Sequence, residues 1–146
     1  MHLKERIPGL WSLDCLYSPG AMEDVLVVFL PDGEGWLSFV HPCQNILEKF
    51  KWVIDDRGLL QIKGTTSTMF YDVDEGDELS HDSFFDEASG MEFYDLNVDI
   101  NKEITPRGEN EVITFSKPLW DTENRFALVH RDYVRIKPPS FTYGRL

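Results

Sequence analysis

The sequence predicts an all-β protein. The expected architecture is a single antiparallel, meandering β-barrel of about eight strands, built by one domain over residues 1–146. Three observations carry that expectation. Residues Asp24 to Gly64 read as two hairpins in succession, each closed by an Asp/Gly turn. Aromatic residues make up 13% of the chain, with 4 Trp and 10 Phe, and such rings pack well on pleated surfaces. Short strand patterns then recur as far as residue 137, and a sheet of that size removes its edges by rolling up or folding on itself.

Residues 1–8 read as a polar lead-in ending at Pro8. From Gly9 to Tyr17, Trp11, Leu13 and Cys15 alternate with Leu10, Ser12, Asp14 and Leu16, which suits a first strand. Ser18-Pro19-Gly20 is a turn. The run Val25 to Leu30 has no polar residue, so both of its faces should be covered. Pro31 stops its pairing, and Gly33 and Gly35 are expected to supply positive φ angles before Trp36 to His41.

Residues 42–49 fit either a helical turn opened by Pro42 or a strand from Ile46. Phe50, Trp52 and Ile54 share a face, which Leu60 and Ile62 should meet across the turn Asp55 to Gly58. Residues 72–90 hold eight carboxylates and no Lys or Arg, the composition of a solvated loop. Beyond it, Tyr94, Leu96, Val98 and Ile100 are expected on one face. Glu111 to Phe115 and Arg125 to Lys137 complete the strands, and 138–146 is expected as an extended tail.

The formal net charge is −12, which opposes binding to nucleic acid or to an anionic membrane. No stretch approaches the about 20 apolar residues of a membrane helix. No apolar run follows the charged start, so no signal peptide is expected and the cytoplasm is the default location. Cys15 and Cys43 fit a reducing compartment, as small buried hydrophobes rather than a disulfide.

With these elements laid out, the chain resembles the lipocalins and related calycin barrels, and in particular bacterial lipocalin-like domains of unknown function. Gly9-Leu10-Trp11 is a Gly-x-Trp at the entry to the first strand. The turn Phe29 to Gly35 and the hairpin Phe50-Lys51-Trp52 to Ile62 follow in the family's order, and the likeness spans roughly residues 9–137. The resemblance implies that an Arg of the last strand packs over the Gly-x-Trp ring and closes the floor. Arg131 and Arg135 are both placed to reach Trp11. Some calycin-like barrels hold haem through a strand His, which would fall to His130, although a partly buried structural histidine is the plainer reading.

The residues themselves show no catalytic constellation. There is no Gly-x-Ser-x-Gly, no His spacing for a metal, and no Gly-rich phosphate loop. Asp72 to Glu78 departs from a calcium loop, because Gly76 stands where a ligand belongs and Ser83 where the bidentate Glu should be. No cofactor is expected. The most suggestive set is aromatic: Trp36, Phe39, Phe50, Trp52, Tyr94 and Phe126, with His130. If these line a barrel interior they make a site for a small apolar or amphipathic ligand; equally, they fill the core. The expected function is therefore small-ligand binding without catalysis. The alternative is an acidic inhibitor or immunity-type module whose 72–90 loop meets a basic protein.

Overall fold

The computed structural model describes residues 2–17, 23–41, 44–71 and 83–138. They form two single-turn helices, α1 (Leu3–Arg6) and α2 (Asp14–Tyr17), and ten strands. The first five strands are β1 (Gly9–Ser12), β2 (Asp24–Phe29), β3 (Glu34–Val40), β4 (Gln44–Ile54) and β5 (Leu60–Tyr71). The others are β6 (Ser83–Ala88), β7 (Glu92–Leu96), β8 (Val98–Thr105), β9 (Gly108–Phe115) and β10 (Arg125–His130). All belong to one sheet, in the order β6-β5-β4-β3-β2-β1-β10-β9-β8, with β7 also paired to β5. Every pairing is antiparallel.

The all-β antiparallel class is therefore as expected, but eight strands in a closed ring is not what the ladder shows. There are ten strands among the described residues, and their order has two ends, β6 and β8. The extra strands come from β5, whose 12 residues carry two partners end to end. Thr66–Tyr71 pair with β6, and Leu60–Lys63 pair with β7. Residues 83–88, expected as acidic loop, are strand, while 72–82 and the tail from 139 lie outside the described residues. Residues 44–49 are strand too, which settles the ambiguity there in favour of β4.

Only Asn97 separates β7 from β8, so the chain that pairs with β5 goes straight on to pair with β9. Near this junction the expected alternation fails. Asp95 has φ 56, and the four residues Phe93 to Leu96 oppose the three from Leu60 to Ile62. The left-handed residue makes a bulge that turns the faces over. Phe93 packs on the core and Tyr94, expected inside with Leu96 and Ile100, is 59% exposed.

One face of the sheet, from β2 round to β10, meets in a single core, so the sheet is curled around its own side chains. Phe29 lies at its centre. Its ring centroid is 5.5 Å from Phe50, 5.4 Å from Trp52 and 6.0 Å from Phe115, and Phe115 lies 6.1 Å from Phe126. Phe50, Phe115 and Phe126 are essentially without solvent contact. The all-apolar run in β2 is explained by cover on both sides. Val25, Val27 and Phe29 enter this core, while Val28 packs on the outer face with Trp36, Leu47 and Ile136.

The expected first strand stops at Ser12, whose hydroxyl accepts a hydrogen bond from the Cys15 N–H at 3.1 Å. That local bond competes with strand pairing and starts α2, which lays Cys15 and Leu16 on Val112 and Ala127.

Of the two glycines in the β2–β3 connection, only Gly33 takes positive φ, at 92°. Gly35 is needed for close approach. A Cβ there would meet the Val28 carbonyl oxygen and the Phe50 ring, each at 2.5 Å. Gly35→Ala should therefore destabilise the fold by about 1–3 kcal/mol, read as a lower urea midpoint. In a Phe50→Ala background the same Gly35→Ala change should still be destabilising, because the Val28 backbone oxygen still obstructs; a change without cost in that background would contradict this account.

Candidate functional site

The ladder register defines two ends of the curled sheet. Gly9 pairs with Phe29, which pairs with Gly35, at one end. Val25 pairs with Phe39, and Asp24 with Val40, toward the other.

The first end is sealed. Trp11 is fully buried, and its Nε1 donates to the Ile7 carbonyl at 2.9 Å. The Arg131 guanidinium lies over the Trp11 ring, 5.7 Å from its centroid. Its Nε donates to the Pro8 carbonyl at 3.1 Å and its Nη2 to the Arg6 carbonyl at 2.8 Å. Both of its terminal nitrogens reach the Glu111 carboxylate, at 2.6 and 3.2 Å. Arg6 joins from α1, donating to the Ile100 carbonyl at 3.0 Å. Hydrogen bonds from Arg131 hold the Glu111 carboxyl below its ordinary value. Of the two candidates, Arg131 is thus the one on Trp11; Arg135 is largely exposed and lies 3.9 Å from Asp132.

The second end carries a hollow of about 280 Å³. Leu13 and Val25 form part of its lining, together with Phe39 and Trp120. The Phe39 and Trp120 rings stack, with centroids 5.2 Å apart and planes 18° apart. His41 continues the stack 6.1 Å from Phe39, and its Nε2 is 3.4 Å from Glu23.

Trp120 owes its position to a tight turn. The Leu119 N–H donates to the Glu123 carbonyl at 3.0 Å, and the Glu123 N–H returns to the Trp120 carbonyl at 2.8 Å. Asp121 between them has φ 52, a conformation that Asp tolerates better than most residues. Leu119 anchors the turn in the core.

Acidic residues complete the lining: Glu23, Asp24, Asp121 and Glu123. Asp24 is tied down, accepting from the Ser12 hydroxyl at 3.0 Å and the Asp14 N–H at 2.9 Å. Burial pushes its carboxyl above the ordinary value, and those hydrogen bonds offset part of the rise.

The aromatic set expected to share one pocket is dispersed. Phe50, Trp52 and Phe126 are buried in the core, and Trp36 is buried on the outer face. Tyr94 and Trp52 border a separate hollow of about 370 Å³, along with Lys51, Val53 and Lys63. His130 pairs with Leu10 near the sealed end, and its Nδ1 accepts from the Asp132 N–H at 3.1 Å. Only Phe39 reaches the hollow beside Trp120. Trp120 was passed over because its segment has no strand alternation. The available signal was a Trp in a polar connection directly after Pro118-Leu119.

Among the described residues, no three His, Cys, Asp or Glu side chains gather to hold a metal ion, and no helix is long and apolar enough to cross a membrane. The fold and site define an antiparallel β protein with one sealed end and an aromatic, acid-lined hollow at the other. Compared with known families, curated proteins and solved structures, the chain matches no family model, no curated protein and no solved structure.

Proposed function

We propose that this chain is a lipocalin-like binding protein, its barrel completed by the continuous β7–β8 segment, that takes a small amphipathic ligand at its unsealed end. The observation that carries this reading is the stacked Phe39–Trp120 wall of the hollow there. A concave site with an apolar wall and a few polar groups is the usual form of a small-molecule site. The floor supports the same reading. Arg131 over Trp11 is the contact that the Gly-x-Trp resemblance implies, and it leaves the other end as the way in. Phe29, Phe50 and Phe115 occupy the interior, so the ligand sits at the mouth and not in the centre of the barrel. The chemistry is binding, not turnover.

The test is a titration with 3-phenylpropan-1-ol, a neutral amphipathic probe, followed by amide chemical shifts. Binding should perturb Phe39, Trp120 and their neighbours, and Trp120→Ala should weaken it about tenfold, the scale of one aromatic contact. Shifts confined to residues away from Phe39 and Trp120, or none at all, would overturn the proposal.

A further inference from the structure

We infer that the hollow at the unsealed end selects organic cations: amines or quaternary ammonium groups carried on a planar apolar body. This rests on the reading of that hollow as the ligand site and specifies the chemistry of its ligand.

The hollow joins two kinds of surface. Phe39 and Trp120 give it an aromatic wall; Phe39 is stacked on both Trp120 and His41, so it is the Trp120 ring that meets a cation or a flat apolar group. Glu23, Asp24, Asp121 and Glu123 give it an acidic lining, and no Lys or Arg is among the described residues that line it. An anion there faces four carboxylates, with the His41 imidazole held against Glu23, and a neutral ligand uses the wall alone. A cation joined to a ring uses both. The acidic residues are spread along the lining and do not converge into a metal-holding group among the described residues, so a diffuse organic charge suits them better than a bare ion. The net charge of −12 adds a long-range attraction for any approaching cation.

The Asp121 turn fixes this arrangement. Its left-handed backbone brings Trp120 and Glu123 into bridge pairing, so one short connection supplies both aromatic wall and carboxylate.

The test compares three probes of one shape: 3-phenylpropylamine, 3-phenylpropan-1-ol and 3-phenylpropionate, titrated calorimetrically at low and high salt. The amine should bind at least about tenfold more tightly than the alcohol, and the propionate more weakly than either. The amine's advantage should shrink in high salt. The pair Asp121→Asn and Glu123→Gln should cost the amine at least about fivefold more affinity than it costs the alcohol, closing most of the gap between them. Asn tolerates the left-handed conformation at 121, so the turn survives this change. If alcohol and amine bind equally at Phe39 and Trp120, the cation inference falls while the site stands. If no probe perturbs those residues, both fall.

Discussion

Replacing Arg131 with alanine is expected to lower stability by about 3 kcal/mol, one of the two largest losses foreseen for this chain. Four contacts go at once: the Trp11 ring, the Pro8 and Arg6 carbonyls, and the Glu111 carboxylate. Glu111 would be left partly buried, with Arg6 at 3.6 Å. Arg131→Lys should recover about half of the loss, because an ammonium keeps the charge but not the planar fork that serves three acceptors at once. Chemical denaturation of the three proteins measures this; a lysine variant as stable as the parent would show that charge alone seals the floor.

The same pair has an acid signature. Glu111 is held below its ordinary value of 4.5, mainly by Arg131. A depressed carboxylate stabilises the folded state fully above its unfolded value, and that contribution disappears as the pH falls through the folded one. Asp55, lowered to about 2 chiefly by Arg57, acts in the same direction, and Asp24, raised by burial, acts in the opposite one. Both are common to the two proteins. The gap between parent and Arg131→Ala should therefore be widest above pH 4.5 and should narrow as acid is added.

Phe50→Ala is expected to cost about 3–5 kcal/mol, the range for emptying a large ring from a core. Phe50 has no solvent contact and packs 5.5 Å from Phe29. Its loss leaves a dry apolar void, and such voids take up benzene-sized molecules. Benzene should thus raise the melting temperature of Phe50→Ala and leave that of the parent unchanged. An equal rise in both would mean that the parent already has internal room, and would return the ligand site to the centre of the sheet.

The hairpins were legible because their turns are written in Asp and Gly, and because Phe50, Trp52 and Ile54 alternate cleanly with exposed neighbours. The double cover of β2 was legible from a run without polar residues. What covers it was not, since Ile136 meets Val28 and Trp36 only through tertiary packing. Tyr94 was misplaced because one left-handed Asp95 inverts the faces, and a period-two pattern carries no mark of a bulge. The two helices were missed for their length: a four-residue turn has no periodicity to detect. Trp11 and its Arg were narrowed to two partners by resemblance, and the choice needed geometry. The hollow was half legible. Phe39 stood among the expected residues, but Trp120 is placed by hydrogen bonds in a turn, which hydrophobic patterning does not record.

The bonds from Arg131 to Pro8 and Arg6 join positions 123 and 125 residues apart. A chain emerging from the ribosome therefore presents Trp11 long before it makes either its β10 neighbours or the Arg131 that covers it. Until then the indole has no lid, and exposed apolar surface of that kind makes a partly folded chain prone to aggregate. Pairing of β10 with β1 across so great a separation raises the contact order, the property that goes with slow folding in small domains.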